Sequence, residues 1–180
     1  PMLVGNHVFG GDSFSSRLMT EVREKRGWSY GAYSYYMHGT RPRMWLFHLF
    51  PASKDTAAAL ELSLKLVSDF REKGITPEEF EFARGSLINS ADFSYDTPKK
   101  RGENRILELT LGLPKDFFRS FAARLQTVTH AQVNAAIRRQ MTPDRLQFTV
   151  VATASELQDA LEKAAGLPPK SAVVRPYTEE

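Results

Sequence analysis

Apolar residues in this chain follow two periods, and the switches between them mark the elements. Within residues 10–36 (GGDSFSSRLMTEVREKRGWSYGAYSYY), Phe14, Leu18 and Val22 recur every four positions, the spacing of a helix's core stripe. Asp12 or Ser13 is the predicted N-cap. Gly27 stands where a C′ glycine belongs, after a last turn holding Arg23, Lys25 and Arg26. At about 100° per residue, Arg23 lies more than a right angle off the apolar stripe. Residues 29–37 (SYGAYSYYM) and 43–50 (RMWLFHLF) are rich in aromatic and β-forming side chains. The turn-like run between them, 38–42 (HGTRP), predicts an antiparallel hairpin. The second strand is apolar on both faces, which predicts a central place in a sheet covered by helices. Residues 2–9 (MLVGNHVF) are too few for periodicity to choose between strand and helix, and Gly10-Gly11 is expected to break the element.

After Pro51 the helical period takes over. Residues 55–73 place Ala59, Leu62, Leu66 and Phe70 on one side, and Gly74 ends the helix. Thr76-Pro77-Glu78-Glu79 is a helix start with a capping box and proline at the first position; Phe80, Ala83, Leu87 and Ala91 then share a face. Pro98 interrupts, and further helices are predicted over 99–111 and 116–125. Thr129 and Gln132 form a second capping box that opens a helix to Gln140. Residues 145–152 (RLQFTVVA) read as a strand, and 155–165 as a last helix stopped by Gly166.

The order of elements predicts an α+β domain, an antiparallel sheet with helices packed on one face, over residues 1–166. An extended tail, 167–180, follows Gly166-Leu167-Pro168-Pro169. Three strands are few for so many helices, so the first strands of the domain are expected to lie before Pro1.

Composition narrows the partners. The chain has 180 residues, of which 42% are hydrophobic and 25% charged, the balance of an ordinary globular domain. Its net charge of +3 comes from 24 basic and 21 acidic residues that are scattered rather than clustered, which argues against nucleic acid. Cysteine is absent, so disulfides and thiolate metal sites are excluded. No apolar run reaches the roughly 20 residues of a membrane helix.

Candidate chemistry is thin. The four histidines, His7, His38, His48 and His130, form no H-x-x-E-H or other metal-ligand spacing, so no metal ligand is assigned to this chain. Gly10-Gly11-Asp12-Ser13 precedes a helix, but it lacks the spaced glycines and lysine of a phosphate loop, and Asp12 would repel an anion. Ser13, Ser15 and Ser16 are helix-start residues rather than nucleophiles. Arg23 and Tyr30 remain. By residue type alone, an arginine in a last helical turn and a tyrosine on a strand need no function.

The same stretch resembles the C-terminal-half signature of the pitrilysin, insulinase and mitochondrial processing peptidase superfamily of zinc peptidases. The matching positions are Gly10-Gly11, the serine-rich turn, Ser16-Arg17-Leu18, Arg23-Glu24, Gly27 and Tyr30, followed by Ala32-Tyr33-Ser34. The layout downstream fits the same domain.

The resemblance implies two similar α+β domains in such proteins. The N-terminal one carries H-x-x-E-H and binds zinc; the C-terminal one lacks metal and supplies an arginine–tyrosine pair across a chamber. This chain resembles the C-terminal domain of the short, two-domain branch. On that basis Arg23 and Tyr30 are the expected catalytic and substrate-binding residues, with Gly10, Gly11 and Phe14 bordering the substrate chamber. No cofactor is expected on this chain, and zinc is expected on the partner domain or subunit. Expected partners are a peptide or unfolded protein substrate, and an H-x-x-E-H domain or subunit in a homo- or heterodimer. The glycine loop is the short form, which argues against the non-catalytic subunit of the processing peptidase. A bacterial periplasm or cytoplasm is favoured over a mitochondrion. Two other readings stand beside this one: a structural or assembly subunit related to respiratory-complex core proteins, and a generic α+β binding module.

Overall fold

Residues 2–9, undecided in the sequence, are helical. In the computed structural model, which describes residues 1–12, 14–36, 44–142 and 145–176, helix α1 (Met2–Asn6) runs without a break into a π-helical turn, His7–Gly11. The glycine pair therefore does not break the element. The Asp12 N–H reaches back five residues to the His7 carbonyl at 3.2 Å, which makes the turn one residue wider than an α-helical one.

The next helical segment, the π-helical Met19–Glu24, begins later than its sequence suggests. Residues 17 and 18 form its entry, and the Thr20 N–H bonds to the Ser16 carbonyl. Asp12 is not its N-cap; its carboxylate instead takes a hydrogen bond from Ser15. Ser13 lies outside the described residues. The late start also overturns the expected stripe. Leu18 and Val22 are fully buried, but Phe14 is 70% exposed, because it precedes the helix and four-residue spacing has no meaning there. Gly27 does close the segment, with φ +63°. Its N–H bonds to Arg23, and that of Trp28 to Val22.

Strands β1 (Ala32–Tyr36) and β2 (Trp45–Leu49) pair antiparallel, with Ala32 opposite Leu49 and Tyr36 opposite Trp45. The predicted turn at 38–42 lies outside the described residues. The pleat sends Ala32, Ser34, Tyr36, Trp45, Phe47 and Leu49 to one face and Tyr33, Tyr35, Leu46 and His48 to the other. The first face carries most of the packing on helices, and from the second Tyr33 also packs against the core. Phe9 packs edge-on against Trp45 and Phe47, with centroids 4.7 and 5.9 Å away, and lies 5.0 Å from Phe70. The expected central position of β2 is thus corrected: among the described residues the sheet has two strands, and Leu46 is exposed. Residues 146–152 form no ladder either. Their composition is that of a strand, but a strand needs a neighbour for its N–H and C=O groups, and none of the described segments provides one.

The remaining helices follow the sequence closely: α2 (Ser53–Lys73), α3 (Pro77–Ala91), α4 (Pro98–Thr110), α5 (Phe121–Gln126), α6 (His130–Gln140) and α7 (Ala154–Ala164). Both predicted capping boxes are present, at Thr76/Glu79 and Thr129/Gln132. Helix α5 is shorter than predicted, because residues 115–120 form turns before it. Val4, Phe9, Leu18, Met19, Val22, Phe70, Val133 and Ile137 meet in one core between α1, α2, α6 and the inner sheet face. Past Gly166, the N–H groups of Lys170 and Ala172 fold back onto the buried Glu162 carboxylate.

Candidate functional site

Two local stops place Arg23 and Tyr30. The Gly27 turn ends the π-helical segment, and two residues later the buried Ser29 fixes the start of the strand. The Ser29 hydroxyl donates to the Gly31 carbonyl at 2.6 Å and accepts the Phe50 N–H at 2.9 Å. The backbone on either side of Tyr30 is therefore held, while the Tyr30 side chain is 83% exposed.

Arg23 lies between two rings. Its guanidinium carbon is 4.7 Å from the centroid of Tyr30 and 5.9 Å from that of Phe14. These are cation–π distances. The structure thus brings together three of the sequence-predicted site residues, Arg23, Tyr30 and Phe14. The other two belong to the preceding helix. Gly10 is buried where an added Cβ would meet Leu18 Cδ1 at 2.7 Å and the Ser34 nitrogen at 2.8 Å; Gly11 abuts Asn6. Gly10 is needed for close packing of helix on strand.

Lys25, Arg26 and Arg17, the basic residues nearest in sequence, each have a carboxylate partner, and among the described residues Arg23 does not. Glu21 accepts from Lys25 at 2.6 Å and from Arg26 at 2.7 Å, and these hydrogen bonds hold its carboxyl below the usual range. Arg17 grips Glu79 with two bonds, 2.7 and 2.6 Å, donates to the Gly74 carbonyl, and stacks over Phe70. Among the described residues, Arg23 has neither an ion pair nor a side-chain hydrogen bond. Its N–H groups and the Tyr30 hydroxyl are open donors on one exposed stack. Such donors suit a carbonyl oxygen or a carboxylate.

Two residues that support this arrangement carried little sequence signal. The amide of Asn6 takes hydrogen bonds from Ser34 Oγ at 2.8 Å and Trp45 Nε1 at 2.6 Å, and donates to the Ser34 carbonyl, so it ties α1 to both strands. Nothing in its local pattern marks it, since its partners are 28 and 39 residues away. Arg17 sits inside the Ser16-Arg17-Leu18 run, so its presence was visible but its role as a bridge to the α2–α3 junction was not. As for metal, no group of three or more His, Asp or Glu side chains among the described residues could hold an ion.

Known domains resemble this one. Residues 1–87 match the family model of the Peptidase M16 inactive domain. The structure superposes on the crystal structure of a peptidase M16 inactive domain from Pseudomonas fluorescens with a TM-score of 0.70 and 26% identity, over 78% of this chain and 34% of that one. Residues 1–87 are thus similar in sequence to the Peptidase M16 inactive domain, and the chain shares the α+β fold of the Pseudomonas fluorescens domain over 78% of its length. Two curated relatives share the sequence over 147 residues each. The Non-peptidase homolog YmxG of Helicobacter pylori is 28% identical over 80% of this chain and 33% of its own length. The Uncharacterized zinc protease YmxG of Bacillus subtilis is 29% identical over 79% of this chain and 35% of its own. The chain therefore spans about a third of the length of the curated relatives it matches.

Proposed function

We propose that this chain is the non-metal C-terminal domain of a zinc-dependent endopeptidase, and that Arg23 and Tyr30 bind the peptide and stabilise charge on its carbonyl oxygens. The zinc belongs to another domain or subunit, in a homo- or heterodimer. The observation that carries this reading is the unmatched Arg23, stacked between Phe14 and Tyr30 with its N–H groups free beside an open phenol. A guanidinium without a carboxylate partner among the described residues, beside basic neighbours that have one, is available to an acceptor brought by a ligand. Held by aromatic faces on both sides, it is oriented before the ligand arrives, so little reorganisation is needed as charge develops. Gly10 acts behind the site by letting the helix that precedes it approach β1, and Gly11 packs against Asn6.

In the assembled peptidase, Arg23→Gln and Tyr30→Phe should each lower turnover about 10²–10³-fold, the usual cost of one lost oxyanion donor. Zinc content should be unchanged. Full turnover in both variants would remove the role given to the pair.

A second reading has an observation of its own. The Helicobacter pylori relative bears the name of a non-peptidase. In that reading the parent is a structural or assembly subunit, and the same two substitutions leave every activity of its complex intact while substitutions in the core lower its abundance.

A further inference from the structure

On the outward face of the hairpin Tyr33 packs against the core, while Tyr35, Leu46 and Phe50 are exposed, a composition unusual for a surface. Tyr33 and Tyr35 from β1 stand beside Leu46 and His48 from β2, and Phe50 continues the row just past the strand. Tyr35 is 48% exposed and Phe50 65%. The rings touch one another: His48 lies 5.2 Å from Tyr35, 6.1 Å from Tyr33 and 5.1 Å from Phe50, each centroid to centroid. Neither strand contains an Asp, Glu, Lys or Arg. Gly31 leaves room for this surface, because an added Cβ would stand 2.4 Å from the Tyr33 ring.

The backbone segments that carry Phe50 and Tyr30 are held side by side. Ser29 bonds to the Phe50 N–H and to the Gly31 carbonyl, so Phe50 is pinned next to the residue from which Tyr30 projects. This aromatic floor, without Asp, Glu, Lys or Arg in its strands, thus lies near in the chain to an arginine that has no carboxylate partner among the described residues. A ligand that satisfies both parts carries carbonyl oxygens for the guanidinium and phenol, and a large apolar side chain for the floor. Peptides have that chemistry.

We infer that the outward face of β1 and β2 is a side-chain subsite that selects peptides with an aromatic or large aliphatic residue, next to the position where Arg23 and Tyr30 hold the backbone. This rests on the reading of Arg23 and Tyr30 given above. The positive charge at the edge of the floor disfavours lysine and arginine at the selected position. The subsite adds specificity rather than chemistry: burying one such side chain against the rings should favour a phenylalanine peptide over its alanine analogue by about tenfold.

The test uses the full chain titrated with acetyl-Ala-Ala-X-Ala-Ala-amide, X being Phe, Leu, Ala or Lys, followed by NMR. The wild-type chain should bind the Phe and Leu peptides about tenfold more tightly than the Ala peptide, with the Lys peptide weakest. Phe50→Ser and Tyr35→Ser should each cut the Phe-to-Ala ratio to about threefold or less while changing affinity for the Ala peptide less than about twofold. Arg23→Gln should weaken all peptides by a common factor and keep the ratio. A further measurement needs no variant: the bound Phe side chain should give intermolecular NOEs to the rings of Tyr35, His48 and Phe50. An unchanged ratio in both folded serine variants overturns the subsite, as does a wild-type ratio near one, failure of every peptide to bind, or NOEs confined to other residues. Ring signals that change with protein concentration but not with peptide would show a second copy of the chain on this face, which also overturns it. If the serine variants change the ratio while Arg23→Gln changes nothing, the subsite stands and the reading of the pair falls.

Discussion

Two glycines of the same stretch show how differently one residue type acts. Gly27 adopts φ +63° with open space around it, so its role is conformational. Gly10 has no side chain because Leu18 and the Ser34 backbone occupy the place where one would go. Gly27→Ala should therefore cost about 1–2 kcal/mol, the strain of a left-handed alanine. Gly10→Ala should cost more, up to about 3 kcal/mol, because backbone has to move. Urea unfolding of both variants checks the order, and a Gly10→Ala chain as stable as the wild type would contradict the packing argument. Arg23 makes the same point for charge. Its type was evident in the sequence, and its position beside a glycine stop and a tyrosine was too. That Lys25 and Arg26 share Glu21 while Arg23 has no carboxylate partner among the described residues was not, because competition for one carboxylate is decided by side-chain directions.

At the scale of elements, the link that matters is Arg17. It joins the entry of the segment that carries Arg23 to the α2–α3 junction, using the same Glu79 that closes the capping box of α3. Burial alone would raise the Glu79 carboxyl; the hydrogen bonds from Arg17 and the Thr76 N–H outweigh it, and the net direction is down. Arg17→Met should destabilise the fold by about 2 kcal/mol, as expected for charge-assisted hydrogen bonds at a half-buried site. A double-mutant cycle with Glu79→Gln should show coupling of about 1 kcal/mol or more; strict additivity would mean that the two side chains do not share their stabilisation. Elements of this kind were legible wherever the information is local. Thr76-Pro77-Glu78-Glu79 specifies its helix start because all its bonds close within four residues. Residues 145–152 failed as a strand because a ladder depends on what lies alongside.

For the whole molecule, the titrating groups predict a pH dependence of one sign. Burial pushes the His7 imidazole below its ordinary value, with Asp12 opposing, so His7 is held neutral and its contribution is complete above about pH 6.5 and erodes as pH falls below that value. The carboxyls of Glu21 and Glu79 are lowered from 4.5, and that of Asp69, bonded to Lys65 and Lys73, from 3.8 to about 2. Their contributions are present above the unfolded values and are lost as pH falls through the folded ones. Resistance to urea should therefore hold near neutrality, decline gently from about pH 6.5 and fall steeply below about pH 4.5. His7→Gln should flatten the first decline and leave the second. A midpoint that rises on acidification would contradict both parts.

The sequence by itself determined what neighbours along the chain can decide: helix periods, capping boxes, glycine stops, the hairpin, and the run from Gly10 to Tyr30 that resembles an M16 C-terminal domain. Those features rest on short-range bonds and fixed backbone geometry. The tertiary structure alone decided that Gly10-Gly11 lies within a helix, that Phe14 leaves the core to stack on Arg23, and that Tyr35, Leu46 and Phe50 stay exposed on one face of the hairpin. Each of these depends on which distant surfaces compete for the same space, and only the folded chain brings those surfaces together.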